Sequence, residues 1–154
     1  MIAVVQRVSR ASVTVRADGY RAEIGPGLCV LLGVVEGDTE NGADWIAGKL
    51  ARLRIFRDEQ DKMNRSVQDI GGEVLLISQF TLAGDCRKGN RPSFVAAADP
   101  ELGVRLYERV GDQLEKTHNV RVKTGVFGAM MEVSLVNDGP VTVIVQRQPG
   151  EDQH

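Results

Sequence analysis

The chain has 154 residues, of which 42% are hydrophobic and 26% charged, as in one ordinary globular domain. Its net charge is −2, so no global positive field attracts nucleic acid, and a polyanion would have to bind a local basic patch. The two cysteines, Cys29 and Cys86, do not form a disulfide framework. Because Gln6 and Arg7 interrupt the N-terminal apolar residues and no apolar run is long enough to span a bilayer, we expect a cytoplasmic protein without a signal peptide.

The first part of the chain has the pattern of β-strands joined by tight turns. β-branched residues with partial alternation predict strands at Ile2–Val8 and Ser12–Val15, continuous or separate. Asp18-Gly19 is a two-residue hairpin turn, so Tyr20–Ile24 should return antiparallel. The continuous apolar run Leu28–Val35 then predicts a strand buried on both faces.

A helix and an exposed loop should follow. Asp38 or Thr39 can cap a helix that runs to about Leu53, with apolar residues on one face. Trp45 adjoins that face and is predicted to belong to the core. The polar segment Arg57–Arg65 lacks periodicity, which indicates an exposed loop or hairpin tip.

The second half has one more helix among strands. The apolar run Val74–Ile77 predicts a buried strand, and Asp99 before Pro100 predicts the start of a helix that ends near Thr117. Strands are then expected at Val120–Val126, Met130–Val136 and Val141–Gln146. These elements, mostly hairpin-linked, predict an α+β fold with a mostly antiparallel, rolled or barrel-like sheet and two helices. Residues 1–146 should form one domain, and the polar tail 147–154 is expected to be disordered.

Polar side chains are clustered directly after the strand at Val74–Ile77. Ser78, Gln79, Phe80 and Thr81 bring three hydrogen-bonding side chains and one ring together. A basic loop with Arg87, Lys88 and Arg91 comes next along the chain. Such a cluster either forms a site or satisfies the backbone of the loop, and the basic residues either contact phosphate or are solvated.

The sequence lacks the side chains of the common catalytic sites. His118 stands in a turn and His154 is the last residue, so neither a zinc site nor a Ser-His-carboxylate arrangement is expected. An enzyme of this composition would have to rely on backbone N–H groups, hydroxyls and groups that the substrate supplies.

A second polar segment, Asn137-Asp138-Gly139-Pro140, has two interpretations. Its composition predicts a tight hairpin turn. Alternatively, Pro140 begins a strand, and a cis bond before it would point two successive carbonyls the same way. Arg7, the lone charge in the first strand, either faces solvent or braces a pair of backbone carbonyls.

Five motifs, in the same order along residues 1–146, resemble those of the D-aminoacyl-tRNA deacylases. They are Val4–Val8, Ser78–Leu82, Gly89–Phe94, Thr124–Ala129 and Asn137–Thr142. The resemblance implies a homodimer that hydrolyses the ester between a D-amino acid and the terminal adenosine of tRNA, without a cofactor, a metal or a membrane. It also implies activity on glycyl-tRNA, including glycine mischarged on alanine tRNA.

The resemblance also implies roles for the site residues. Ser78–Thr81 would line the catalytic pocket, with backbone N–H groups near Phe80 facing the ester carbonyl and the tRNA 2′-hydroxyl assisting the attack. Gly139-Pro140, in cis, would reach into the partner's site and reject L-amino acids. The remaining implied roles are bracing of that dipeptide by Arg7 and binding of the terminal adenine by Phe127 and Met131.

Two other functions remain open on the sequence. One is a small-molecule ester or amide hydrolase with Thr81 or Ser78 as the nucleophile. The other is a non-catalytic RNA-binding barrel, which the low aromatic content of 5% disfavours. For the deacylase, Arg87, Lys88 and Arg91 are the expected phosphate contacts.

Overall fold

A computed structural model describes residues 1–151. Its elements, in chain order, are β1 (Ile2–Val15), β2 (Tyr20–Ile24), β3 (Gly27–Gly33), α1 (Glu40–Arg52), β4 (Phe56–Arg57), β5 (Met63–Arg65), β6 (Glu73–Ser78), a 3₁₀ helix (Phe80–Ala83), α2 (Pro100–Lys116), β7 (Arg121–Thr124) and β8 (Glu132–Gln146). The segment Arg57–Arg65 is the tip of the small β4–β5 hairpin, in agreement with the sequence.

The main sheet is mixed and nearly closed. Its strands follow the order β2-β1-β3-β6-β7, and β8 pairs with the other edge of β1. β1 is antiparallel to β2, β3 and β8, whereas β6 is parallel to both β3 and β7. The sheet is curled so strongly that its end strands, β2 and β7, come into contact. The Tyr20 hydroxyl donates to the Thr124 carbonyl at 2.8 Å, and Lys123 Nζ donates to the Glu23 carbonyl at 2.7 Å. The prediction of a rolled or barrel-like sheet with two helices is therefore confirmed, but the sheet is mixed, whereas a mostly antiparallel one was expected.

The two helices are crossover connections, which the expectation of mostly hairpin links did not include. α1 lies in the connection from β3 to β6, and α2 lies in the connection from β6 to β7. Parallel neighbours need such long connections, because a hairpin reverses the chain. The uninterrupted apolar sequences of β3 and β6 are typical of parallel strands that are covered on both faces.

Two apolar clusters hold the sheet together. The larger cluster lies between the sheet and both helices, and it includes Ile46 and Leu50 from α1 and Leu106 from α2. The smaller cluster lies within the curl of the sheet and includes Val13 and Ile77. The Tyr107 hydroxyl is buried and donates to the Leu76 carbonyl at 2.8 Å, which fixes α2 against β6.

The start of α2 provides a simple test of the fold. Asp99 is the N-cap, and its carboxylate accepts a hydrogen bond from the Leu102 N–H at 2.9 Å. We expect Asp99→Ala to lower the free energy of unfolding by about 1 kcal/mol, because a helix N–H loses its acceptor. Urea denaturation measures this change, with Asp99→Asn as the control that keeps an acceptor. Equal unfolding midpoints for wild type and Asp99→Ala would contradict the assignment of the cap.

The hairpin predicted at residues 137–140 is wrong. β8 is one strand that pairs with β1 on both sides of this segment, and four residues, 138–141, lie opposite Arg7 alone. The segment is a large bulge, and the chain continues in the same direction beyond it. β1 is long enough to pair with both halves of β8, so the continuous ladder outweighs the local preference of Gly and Pro for a reversal.

Trp45 was predicted to belong to the core, but it lies at the surface. Its ring is 36% exposed, with Lys49 Nζ 5.1 Å and the Arg147 guanidinium carbon 4.9 Å from the ring centroid. It therefore packs between two cations at the surface. Beyond β8, the Gln148 N–H donates to the Glu151 carboxylate at 2.8 Å, and residues 152–154 of the predicted tail lie outside the described residues.

Candidate active site

The polar cluster at the end of β6 is held by the neighbouring strand β3. Ser78 is the last residue of β6 and pairs with Leu32, whose carbonyl accepts the Gln79 N–H at 2.8 Å. The chain then turns into the 3₁₀ helix that starts at Phe80. This turn places the side chains of Gln79 and Thr81 in contact, with the Gln79 amide donating to the Thr81 hydroxyl.

Two successive backbone N–H groups have no acceptor at this point. Within residues 1–151, the N–H groups of Phe80 and Thr81 make no hydrogen bond, because they begin a helical turn. Both residues are exposed, and both line a cavity that is open to a ligand. A pair of fixed backbone donors of this kind can stabilise the negative oxygen that forms when an ester carbonyl is attacked.

The donors lie beside an apolar cavity of about 450 Å³. Ser78, Gln79, Phe80 and Thr81 line one side, and the other side is formed by residues 127–131 and Val133. These segments meet because β7 pairs with β6, and the Gly125 N–H donates to the Leu76 carbonyl at 3.3 Å. The structure thus brings together the residues that the sequence grouped as Ser78–Thr81 with Phe127 and Met131.

Phe127 is seated on helix α2. Its ring centroid lies 5.8 Å from that of Tyr107, and a Cβ added to Gly103 would lie 3.2 Å from the Phe127 ring. The Met131 sulfur accepts the Val126 N–H at 3.4 Å, which holds the adjoining wall. Tyr107 and Gly103 were not predicted to belong to the site, because both lie on the apolar face of a helix and resemble ordinary core residues.

The basic loop begins and ends beside the candidate site. Asp85 and Ser93 exchange two backbone hydrogen bonds of 2.8 and 2.9 Å, and the Phe94 ring packs edge-on to Phe80 at 5.3 Å. Phe94 is a further residue beside the site that was not predicted from the sequence, although it lies in the Gly89–Phe94 motif.

The three basic side chains of this loop differ in their partners. The Arg87 guanidinium donates to both carboxylate oxygens of Asp85, at 2.9 and 2.8 Å. The hydrogen bonds from Arg87 hold the pKa of the Asp85 carboxyl at about 2, so this pair stays ionised at neutral pH. Lys88 and Arg91 are exposed and form no ion pair within the described part of the chain. They therefore offer more available positive charge than Arg87.

Arg7 does not face solvent, the first of its two interpretations from the sequence, because it is only 3% exposed. Its Nε donates to the Asp138 carbonyl at 2.8 Å, and its Nη1 donates to the Ile55 carbonyl at 2.7 Å. It thus braces two carbonyls. The Gly139-Pro140 bond is cis, and Gly139 has a φ of +148°. A Cβ at Gly139 would lie 2.7 Å from Val141, so this position requires glycine.

Within one chain, Gly139 and Pro140 do not line the cavity. The strand register places Arg7 level with Val74, four residues before Ser78, and β8 lies three strands from β6 along the sheet. Strand spacing alone gives a lateral separation of about 14 Å. Along the sheet, the bulge and the cavity of one chain are therefore well separated.

His118, the single candidate base, is not part of the cavity. It follows α2 near the opposite end of β6, and burial lowers the pKa of its imidazole. Among residues 1–151, no three His, Cys, Asp or Glu side chains are grouped to hold a metal ion. The Thr81 hydroxyl contacts an amide, which is not a base. No helix in this range is long and apolar enough to cross a membrane.

The two cysteines should differ in reactivity. Cys29 is fully buried, and burial raises the pKa of its thiol to about 11, whereas Cys86 is exposed in the basic loop. We expect a thiol reagent such as Ellman's reagent to modify one cysteine in the folded protein and two after unfolding. Mass spectrometry of the native product should locate the label on Cys86, and a label on Cys29 would contradict the packing of β3.

The sequence and the fold are both similar to known deacylases. Residues 4–146 match the family model described as D-Tyr-tRNA(Tyr) deacylase. A D-aminoacyl-tRNA deacylase of Paracoccus denitrificans is 58% identical over 143 residues, which are 93% of this chain and 95% of the relative. One of Heliobacterium modesticaldum is 56% identical over 151 residues, which are 98% of this chain and 99% of the relative.

Two solved structures have the same fold. A c-Myc DNA Unwinding Element Binding Protein is 44% identical with a TM-score of 0.89, and the match covers 96% of this chain and 99% of that one. A structure described as a probable eukaryotic D-amino acid tRNA deacylase is 18% identical with a TM-score of 0.81, over 94% and 97% of the two chains, and shows the fold alone. From the family match and these relatives, the chain belongs to the D-aminoacyl-tRNA deacylases, hydrolases of the aminoacyl-tRNA ester bond.

Proposed function

We propose that this protein hydrolyses the ester bond between a D-amino acid and the 3′-terminal adenosine of tRNA in the cytoplasm, and so removes D-amino acids before they reach translation. The main support is the pair of unpaired N–H groups at Phe80 and Thr81 beside an apolar cavity. These donors suit an ester carbonyl, and the family of the chain supplies the substrate class.

The proposed reaction uses the main chain and the substrate. The ester carbonyl oxygen accepts hydrogen bonds from the Phe80 and Thr81 N–H groups, which stabilise the tetrahedral intermediate. A water oxygen attacks the acyl carbon, and the bond from that carbon to the ribose 3′-oxygen breaks. The 2′-hydroxyl of the terminal ribose passes the proton from water to the departing 3′-oxygen. The products are a free D-amino acid and tRNA.

The adenosine and the RNA backbone need separate contacts. We assign the terminal adenine to Phe127 and Met131, because the Phe127 ring is partly exposed in the cavity and fixed from behind by Tyr107. Lys88 and Arg91, which form no ion pair within residues 1–151, would contact phosphate groups directly. Arg87 would be a weaker phosphate contact, because its guanidinium is paired with Asp85. Ser78 and Gln79 shape the pocket between these regions.

Chiral selection would come from a second copy of the chain. Large apolar side chains that line the cavity are exposed, among them Phe80 at 60%, Met130 at 90% and Val133 at 38%. A patch of this kind is normally covered by a partner. In a homodimer, the Gly139-Pro140 main chain of one subunit would enter the cavity of the other and clash with an L side chain. Glycine has no side chain to clash, so glycyl-tRNA should also be hydrolysed, including glycine mischarged on alanine tRNA.

The two alternative functions give different results in one assay. The protein is incubated with D- and L-tyrosyl-tRNA prepared from the same tRNA, and the free amino acid is measured. We expect rapid release of D-tyrosine and slow release of L-tyrosine. Equal release would contradict selection by Gly139-Pro140, and binding without release would favour a non-catalytic RNA-binding barrel. Cleavage of simple D-tyrosyl esters as fast as charged tRNA would favour a small-molecule hydrolase with a Thr81 or Ser78 nucleophile.

The contribution in trans has its own test. Phe80→Pro removes a donor from the pocket, and Gly139→Ala displaces the bulge because its Cβ meets Val141. A heterodimer of the two variants has one intact site if the bulge acts in trans, and none if it acts within its own chain. We expect the purified heterodimer to release D-tyrosine with about half the wild-type number of active sites. These sites should still reject L-tyrosyl-tRNA. Absence of any selective site would overturn the trans arrangement.

A further inference from the structure

A separate cavity of about 310 Å³ opens on the outer face of β1, β2 and β8 and shares no lining residue with the candidate active site. The strand register places Ser12 directly opposite Glu23 on β2 and Ser134 on β8. Directly paired residues point to the same face of a sheet, so these three side chains form one row. Arg10 and Arg21 flank the row, since each lies two residues away along its strand.

Within residues 1–151, three polar side chains of this cavity form no hydrogen bond or ion pair. Ser12 is 8% exposed, yet its hydroxyl makes no hydrogen bond with any residue from 1 to 151. The Arg10 guanidinium and the Ser134 hydroxyl also form no hydrogen bond or ion pair in this part of the chain. No buried polar side-chain atom is left unpaired in the described part of the chain, so the Ser12 hydroxyl opens to the cavity, where a ligand or water can reach it. The row therefore has the properties of a site that binds a polar group.

The charges of the lining indicate a single negative charge on the ligand. Arg21 is held in place by Thr14 Oγ1 and by the Glu23 carboxylate, each at 3.3 Å. Two arginines and one glutamate give this cavity a formal net charge of +1. Arginine and hydroxyl donors together match the oxygens of a phosphate group, and a phosphodiester carries one negative charge.

We propose that Arg10, Ser12, Arg21 and Ser134 bind a phosphodiester of the tRNA backbone, outside the pocket for the terminal adenosine. This inference rests on the proposed function, which makes RNA the natural source of the phosphate. The location is consistent with that source, because Val136 of the cavity directly precedes the bulge at residues 137–140. In the proposed homodimer the bulge enters the partner's pocket, so the cavity would lie only a few residues along β8 from the bound end of the tRNA.

The affinity for uncharged tRNA tests the site independently of catalysis. We expect Arg10→Gln to raise the Kd about tenfold and to reduce the slope of log Kd against log salt by about 0.7–1, as for one lost phosphate contact. Ser12→Ala should raise the Kd by a smaller factor. The matched control is Arg16→Gln, which removes the same charge nearby from an exposed side chain that pairs with Glu132. The control should retain the wild-type Kd.

Kinetics separate the site from the chemistry. Arg10→Gln should raise KM for D-tyrosyl-tRNA with little change in kcat, and it should leave hydrolysis of D-tyrosyl-adenosine, which lacks the rest of the RNA, unchanged. Equal effects of Arg10→Gln and Arg16→Gln would overturn the site. Binding of inorganic phosphate that depends on Arg10, without such dependence for tRNA, would assign the cavity to a free anion. Affinity for tRNA that depends on Arg10 in a protein that releases no amino acid would support the site and overturn the proposed function.

Discussion

The kcat of Phe80→Pro for D-aminoacyl-tRNA should be about 10²–10³-fold lower than the kcat of Phe80→Ala. The loss of one oxyanion donor has an effect of this size in other enzymes. Both variants lack the ring, but only proline lacks the N–H. The N–H of Phe80 has no partner in the described chain, so its removal breaks no hydrogen bond of the fold. Proline is also well tolerated at the first position of a helix, which Phe80 occupies.

The comparison has a built-in control for folding. Gln79 has φ −145° and ψ 80°, outside the helical region that a following proline disfavours. We therefore expect similar urea unfolding curves for Phe80→Pro and Phe80→Ala. Single-turnover release of D-tyrosine from D-tyrosyl-tRNA then measures the donor alone. Equal rates in two well-folded variants would show that this N–H does not stabilise the transition state.

Arg7→Met should lower the free energy of unfolding by about 2–4 kcal/mol, because two carbonyls lose a charged donor. The carbonyls of Ile55 and Asp138 each accept one short bond from the guanidinium, and the arginine is almost fully buried. Arg7→Lys should recover only part of the stability, since one ammonium cannot reproduce the fork between both acceptors. Urea denaturation at neutral pH measures both variants.

The same substitution should affect chiral selection. Arg7 holds the carbonyl of Asp138, next to Gly139, so its loss frees the segment that we propose excludes L side chains. We expect the ratio of D- to L-tyrosyl-tRNA hydrolysis to fall in Arg7→Met at temperatures where the variant remains folded. An unchanged ratio, together with the lower stability, would mean that Arg7 supports the fold without positioning the bulge.

Much of the fold can be predicted from local patterns. The strands β2 and β6 and the helices α1 and α2 begin and end within a few residues of the predicted positions, because hairpin turns, N-caps and apolar periodicity are local signals. The pairing of β6 with parallel neighbours is not local. It follows from the crossovers through α1 and α2, and sequence patterns identified the helices without showing that they connect parallel strands.

The bulge in β8 shows where local patterns fail. Gly139 and Pro140 favour a reversal by themselves, and only the long partner strand β1 makes a continuous strand the better solution. The Ser78–Thr81 cluster was easier to single out as a candidate site, because it directly follows a buried strand. Its unpaired N–H groups could not be predicted from residue types, since the 3₁₀ helix that leaves them free is a property of the backbone.

In the proposed reaction the main chain binds the ester carbonyl, and the RNA supplies the hydroxyl that moves the proton. Single-turnover hydrolysis of D-tyrosyl-tRNA that ends in 2′-deoxyadenosine, with the amino acid on the 3′-oxygen, tests this reaction directly. We expect a rate at least about 10²-fold below that of the normal substrate, the usual contribution of a positioned acid–base group. Equal rates for the two substrates would contradict it and would require a protein group in that role.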